Sequence, residues 1–212
     1  MRTRVKICGI TTEADARMAI EAGADALGFN GWPGSKRFVD LRGAGEWIST
    51  LPPFVTRVAL LVNASLSEAL EITSLPWIDA VQLHGDEDAD YCREVVRLGR
   101  PLIKALRIGT AEEIATAGKH HTRHVLIDAH VAGHFGGTGV QADFTLAQRL
   151  RINQPALHLT LAGGLQPENV GAAIRAVRPY AVDVSSGVES APGRKDAGLV
   201  RAFIEAVSQE RH

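Results

Sequence analysis

The sequence predicts an α/β fold, a single-domain (β/α)8 (TIM) barrel. Eight short apolar segments alternate with amphipathic segments along the 212 residues. The apolar segments are nearly continuous runs, which is typical of parallel strands buried on both faces. Polar residues and glycines follow most of these runs, and barrel enzymes carry their sites at the carboxyl ends of strands. No linker or change of composition divides the chain, so we expect one domain over residues 1–212.

The predicted strands are short and rich in Val, Ile, Leu and Ala. In chain order they are VKIC (5–8), ADALGF (24–29), RVALLV (57–62), IDAVQL (78–83), PLIKAL (101–106), HVLIDA (124–129), LHLTLA (157–162) and YAVDVS (180–185). An open doubly wound sheet is the alternative. A nucleotide-binding sheet of that kind carries G-x-G-x-x-G after its first strand, whereas this chain has CGITTE (8–13). The barrel is therefore favoured.

Helical segments connect these strands, and several begin with Ser, Thr, Asp or an early Pro, as helix starts commonly do. They are TEADARMAIEAG (12–23), SLSEALEITSL (65–75), DADYCREVVRLG (88–99), GTAEEIATAG (109–118), DFTLAQRLR (143–151), QPENVGAAIRAV (166–177) and KDAGLVRAFIEAV (195–207). The second helix, in RGAGEWIST (42–50), is predicted to be the weakest because Gly43 and Gly45 lie inside it.

Composition argues against several classes of partner. The formal net charge is −1, with 22% charged residues, so no basic surplus points to nucleic acid. No apolar run approaches the roughly 20 residues that a membrane-spanning helix needs. Cys8 and Cys92 are too few for a disulfide framework and favour a reduced, cytoplasmic setting.

Glycine-containing loops follow the last three predicted strands: HFGGTGV (134–140), AGGL (162–165) and SSGVE (185–189). Glycine lets a backbone approach a ligand closely, and free N–H groups bind anions. Barrels commonly hold phosphate after strands 7 and 8. One such loop would be explained by turn formation alone, but three on one face predict a phosphate site, with residues 134–140 as a covering lid.

Two residues at strand ends are candidates for proton transfer. Cys8 ends the first strand, and a thiolate can serve as a general base. Asp128 ends the sixth, and a carboxyl group can serve as a general acid. The residues alone leave simpler interpretations open: a small buried apolar side chain for Cys8, and a helix cap or ion-pair partner for Asp128. Cys92 fits the buried interpretation and receives no role.

Further polar side chains suggest ligand contacts. Arg37, beyond strand 2, has a guanidinium that could bind a carboxylate through two parallel hydrogen bonds, or be a solvated loop charge. His84 ends strand 4 and either faces a ligand or is an internal imidazole. The histidine-rich stretches KHHTRH (119–124) and HVAGH (130–134) lack converging ligands, so no metal site is expected.

An ordered set of motifs resembles the phosphoribosylanthranilate isomerase family over nearly the whole chain. The set comprises KICGIT (6–11), GSKRFV (34–39), VQLHG (81–85), the strand end at Asp128, GGTG (136–139), LAGGL (161–165), and VDVSSGVE with the following PGRKD (182–196). Related families of phosphate-binding barrels share the glycines in the loops after strands 7 and 8 but lack KICGIT.

The resemblance implies an Amadori rearrangement in L-tryptophan biosynthesis by general acid/base catalysis, with Cys8 as base and Asp128 as acid. It implies that Arg37 holds the anthranilate carboxylate and that His84 and Asp183 line the sugar and aromatic site. The implied phosphate-binding residues are Gly137, Gly164, Ser186 and Gly187. No metal or organic cofactor is implied, and the expected partner is a small-molecule phosphosugar. The chain is expected to be a monomer or a homodimer.

Two other functions stay open at this point. A barrel isomerase of histidine synthesis would use paired aspartates on strands 1 and 5, whereas strand 1 offers Cys8 and strand 5 offers no Asp. A non-catalytic phosphosugar-binding barrel would keep the phosphate glycines but lose the acid or the base, whereas Cys8 and Asp128 are both present.

Overall fold

Eight parallel strands close into a barrel in the computed structural model, which describes residues 2–108, 110–128 and 144–210. The strands are β1 (Arg4–Cys8), β2 (Ala26–Asn30), β3 (Thr56–Leu61), β4 (Ala80–Leu83), β5 (Leu102–Leu106), β6 (His124–Asp128), β7 (His158–Ala162) and β8 (Ala181–Val184). The barrel closes where β1 pairs with β8, with Lys6 opposite Asp183. The predicted (β/α)8 fold is confirmed, whereas the extent of a single domain stays a prediction.

A helix follows each strand. The helices are α1 (Glu13–Glu21), α2 (Gly45–Ile48), α3 (Leu66–Ser74), α4 (Ala89–Val96), α5 (Ala111–Thr116), α6 (Thr145–Asn153), α7 (Pro167–Val177) and α8 (Ala197–Gln209). The predicted cap signals operate: Asp88 accepts a hydrogen bond from the N–H of Tyr91, and Thr110 forms a capping box with Glu113. The α2 helix has only four residues and no side-chain cap, as its glycines predicted.

A short antiparallel hairpin after β8 was not predicted. Its strands are β9 (Glu189–Ala191) and β10 (Arg194–Lys195), and Gly193 lies between them with φ of +80°. That left-handed conformation favours glycine. The hairpin returns the chain to the mouth of the barrel just before α8 begins.

The main apolar core lies between the barrel and the helices, where every second strand residue points outward, as Ile7, Val81 and Val182 do. The barrel interior is more polar. A small apolar cluster centred on Leu126 is accompanied by other buried interior side chains: Lys6, Gln82, Thr160 and Asp183. The interior of the barrel is therefore partly polar, and ligands in this fold bind at the carboxyl ends of the same strands.

Among the helices that the structure describes, none is long and apolar enough to cross a membrane.

Candidate active site

A cavity of about 240 Å³ lies at the carboxyl ends of the barrel strands. Every predicted site residue within the described ranges lines it: Cys8, Arg37, His84, Asp128, Gly164, Asp183, Ser186 and Gly187. Gly137 and the rest of loop 134–140 lie outside the described residues. Residues from six strands or the loops that follow them thus converge on one space, as the strand-end positions predicted.

Cys8 reaches this cavity from the inner face of β1 and is 7% exposed. Burial raises the pKa of its thiol above the usual value, because a thiolate loses solvation there. The positive charge of Lys6 opposes that shift. The thiol is therefore shielded from bulk water while a cation lies beside it.

Asp128 ends β6 and is partly exposed at the cavity. It pairs in register with Ala162 of β7, immediately before the glycines of the next loop. Cys8 and Asp128 come from strands on different sides of the barrel and line the same cavity. An acid and a base can therefore act on one ligand from two directions.

Arg37 lies at the cavity mouth, but its guanidinium is already engaged. Its Nε and Nη2 donate to the two carboxylate oxygens of Glu189 at 2.7 and 2.6 Å. Lys195 Nζ also donates to Glu189, at 2.8 Å. Burial alone would raise the pKa of Glu189, but the hydrogen bonds from Arg37 and Lys195 bring it below its usual value. Glu189 is therefore ionised and binds the cationic side chains of both Arg37 and Lys195.

The Arg37–Glu189 pair leaves one edge of the guanidinium for a ligand. The described residues provide no acceptor for Nη1, so Nη1 and the second hydrogen of Nη2 can form a two-pronged contact with an anion. Two cations and one carboxylate give the cluster a net positive charge. The loop itself is ordered by Ser35, whose Oγ accepts from the N–H of Arg37 and from Asn30 Nδ2.

His84 follows β4 and is held by its neighbour in the barrel interior. Gln82 Nε2 lies 2.8 Å from His84 Nδ1. Burial lowers the pKa of His84 below its usual value, so the imidazole is neutral at pH 7. Asp183 also lines the cavity, but its Oδ1 accepts a hydrogen bond from Lys6 Nζ at 2.9 Å.

The loops after β7 and β8 meet at backbone distance beside the cavity. Gly164 has φ of +60°, in the left-handed region that favours glycine. A Cβ atom at Gly187 would lie 1.9 Å from the carbonyl oxygen of Leu165, so only glycine allows this approach. Ser186, which lies between β8 and Gly187 in the chain, lines the same cavity. The backbone can thus lie close to a phosphate, as the glycine pattern predicted.

Sequence reasoning missed the residues that support the site from behind. Lys6, Glu189 and Lys195 all lie within recognised motifs but received no role. A signal existed for Lys6, because it shares the inner face of β1 with Cys8 two residues away. Lys195 lies in a hairpin that was not predicted, and its contact with Glu189 depends on that hairpin.

No group of three or more His, Cys, Asp or Glu side chains among the described residues could hold a metal ion. The stretch 130–134 lies outside those residues. The expectation of no metal or organic cofactor stays a prediction.

The fold and the cavity define a (β/α)8-barrel enzyme whose site lies at the carboxyl ends of its strands. The protein-family model for N-(5'-phosphoribosyl)anthranilate isomerase matches residues 5–206. The chain belongs to that isomerase family, which confirms the predicted resemblance.

Individual relatives agree with this assignment. The Pseudomonas putida N-(5'-phosphoribosyl)anthranilate isomerase is 49% identical, with 97% of this chain and 98% of that protein covered. The crystal structure of the Thermotoga maritima enzyme is 40% identical, with a TM-score of 0.87, and 98% and 100% of the two chains covered. A second solved isomerase is in complex with reduced 1-(o-carboxyphenylamino)-1-deoxyribulose 5-phosphate; it is 37% identical, with a TM-score of 0.83, and 98% and 100% covered.

Proposed function

We propose that Cys8 is the general base and Asp128 the general acid with which this isomerase of L-tryptophan biosynthesis converts N-(5-phosphoribosyl)anthranilate to 1-(2-carboxyphenylamino)-1-deoxyribulose 5-phosphate. The observation that carries the proposal is the single cavity lined by Cys8, Asp128, Arg37 and the glycine loops after β7 and β8. The substrate has a carboxylate at one end and a phosphate at the other. The cavity offers groups suited to both ends, with an acid and a base between them.

The reaction requires two proton transfers in sequence. Asp128 donates a proton to the furanose ring oxygen, the C1–O bond breaks, and the anthranilate nitrogen supplies the electrons that form a Schiff base. Cys8 then removes the proton from C2, which gives an enolamine. The enolamine tautomerises to the aminoketone. The substrate's own amine accepts the electron pair from the C2–H bond, so the proposed steps need no metal or organic cofactor.

The substrate contacts follow from the same arrangement. Arg37 would bind the anthranilate carboxylate through its unoccupied edge, held in place by Glu189. His84 and Asp183 would border the sugar and the aromatic ring. The proposed phosphate ligands are the backbone and side chains of loops 6 to 8, namely Gly137, Gly164, Ser186 and Gly187.

The direct test follows the fluorescence of anthranilate. The purified protein is mixed with freshly generated phosphoribosylanthranilate, and the loss of fluorescence is recorded beside Cys8→Ala and Asp128→Asn. We expect rapid consumption by the wild type alone, with the aminoketone identified by mass and NMR. A folded wild-type protein that binds the reduced product analogue but consumes no substrate would support a non-catalytic phosphosugar-binding barrel instead.

Glu189→Gln is expected to raise KM about tenfold and to change kcat less. Loss of the carboxylate charge weakens the charge-assisted hydrogen bonds that hold Arg37, and such bonds contribute about 1.5–3 kcal/mol. Steady-state kinetics measures the effect. Glu71→Gln is the matched control, because Glu71 also binds an arginine, Arg42, through both oxygens, but on an exposed surface. Equal effects of the two substitutions would exclude a role for Glu189 in placing Arg37.

Gly187→Ala is expected to weaken binding of inorganic phosphate and substrate by about tenfold or more. The added Cβ would overlap the carbonyl oxygen of Leu165, so the two loops must separate. Calorimetric titration of phosphate and the KM for substrate measure the change. Gly118→Ala is the control, since nothing lies within 4 Å of a Cβ there. Unchanged phosphate affinity in folded Gly187→Ala would contradict the proposed anion site.

The remaining proposals concern setting and partners. The two cysteines are both free and buried, which suits a reduced cytoplasmic compartment. We infer a small-molecule phosphosugar as the ligand, with neither nucleic acid nor membrane as a partner. Light scattering of the purified chain would decide between monomer and homodimer.

A further inference from the structure

We propose that Lys6 is a positioning residue for catalysis: its buried ammonium group, anchored by Asp183, holds the Cys8 sulfur in place and stabilises its thiolate form. The inference rests on the proposed role of Cys8 as general base.

Lys6 is a buried charge in a place where a barrel usually has an apolar side chain. Its side chain is 5% exposed, and its Nζ donates to Asp183 Oδ1 at 2.9 Å. Replacing such a buried pair with apolar residues is often neutral or stabilising. Stability alone therefore does not explain the Lys6–Asp183 pair, and we look for another role.

Lys6 and Cys8 lie side by side. Both side chains point into the barrel, because residues two positions apart in a strand share one face. Gly28 of β2 lies opposite Cys8 in the register. A Cβ at Gly28 would lie 2.7 Å from Cys8 Sγ and 2.9 Å from Lys6 Nζ. The absence of a side chain at residue 28 thus leaves room for the sulfur and the ammonium group together. Two atoms that both lie within 3 Å of one point are less than about 6 Å apart, so the ammonium charge acts on the sulfur at short range.

The charge on Lys6 is secure. Burial alone would lower its pKa, but Asp183 and Cys8 raise it above the usual value, so the ammonium stays protonated at neutral pH. Proton abstraction by Cys8 needs the thiolate, and burial disfavours a thiolate unless a cation is close. Lys6 supplies that cation from inside the barrel and is not among the residues that line the cavity.

Other charges also face Cys8, and they do not replace Lys6. Asp183 on β8 raises the pKa of the thiol, whereas Lys195 on β10 lowers it. Arg37 in the loop after β2 also interacts electrostatically with Cys8, although it is committed to Glu189. Asp128 and His84 border the same cavity. Among these groups, Lys6 has the largest pKa-lowering effect on Cys8.

The test measures the thiol directly. Wild type and Lys6→Met are alkylated with iodoacetamide over a range of pH, and Cys8 modification is quantified by peptide mass. An opposite charge within about 4–6 Å shifts a pKa by 1–3 units. We therefore expect the midpoint of the pH dependence of Cys8 alkylation to rise by at least about one pH unit in Lys6→Met. Alkylation at pH 8 should slow about tenfold, and kcat should fall with KM changed less.

The chain contains its own folding control. Cys92 is 0% exposed in the interior, so its alkylation reports loss of structure. If Lys6→Met unfolds, the double variant Lys6→Gln/Asp183→Asn removes both charges without leaving either unpaired. The midpoint of its Cys8 alkylation should still rise, because the charge of Lys6 has a larger effect on the thiol than the charge of Asp183.

An unchanged Cys8 midpoint in a folded variant would overturn the proposal, whatever the activity. Full activity of Cys8→Ser would instead refute the base role of Cys8, and the Lys6-dependent midpoint would still be measurable. The two failures are therefore distinguishable.

Discussion

Cys8→Ser is expected to lower kcat by about 10²–10⁴-fold, the usual contribution of a positioned general acid or base. A serine hydroxyl fits the same space, but it is far less acidic than a thiol and provides almost no anion to accept the C2 proton. Substrate binding depends on Arg37 and the glycine loops, so KM should change less. Steady-state turnover and titration with the reduced product analogue separate the two effects.

Cys92→Ser is the matched control, since it makes the same atomic change at the other cysteine. Cys92 is buried in α4, with its sulfur 3.9 Å from His120 Nδ1. We expect some loss of thermal stability and turnover close to wild type. Retention of wild-type turnover by Cys8→Ser would remove the thiol from the mechanism.

The outline of the fold was predictable because its signals are local. Parallel strands buried on both faces require continuous apolar runs, and helix starts require caps, so both are recorded in short segments. The weakness of α2 followed from Gly43 and Gly45 in the same way. The β9–β10 hairpin was missed because its two strands have three and two residues. Such short strands cannot show an alternating apolar pattern.

The cavity-facing residues were predictable for a different reason. In a parallel barrel, every strand ends at the same face, so polar residues after strands must converge even when they are far apart in the chain. That rule places Cys8, Asp128, His84 and the loop glycines together. It does not specify distances or partners.

The supporting contacts could not be predicted from one sequence. Arg37 and Glu189 are 152 residues apart, and Lys6 and Asp183 are 177 apart. Barrel closure makes β1 and β8 neighbours, but only the register places Lys6 opposite Asp183. Arg37 was expected to use its fork on a substrate carboxylate, and the structure shows one edge already bound to Glu189.

Asp128→Asn is expected to lower kcat by about 10²–10⁴-fold through a different step. Asparagine keeps nearly the same shape and can accept or donate hydrogen bonds, but it has no acidic proton for the ring oxygen. The substrate should therefore bind and remain cyclic. Asp90→Asn, at an exposed carboxylate of α4, is the control and should leave turnover unchanged.

A substrate carrying deuterium at C2 distinguishes the acid from the base. Ring opening comes before C2–H cleavage, so slow ring opening in Asp128→Asn should hide the isotope effect, with kcat nearly equal for both substrates. In Cys8→Ser the ring still opens and C2–H cleavage limits turnover, so a primary isotope effect should appear. The opposite pattern would exchange the two roles, because the residue whose loss exposes the isotope effect is the one that removes the C2 proton.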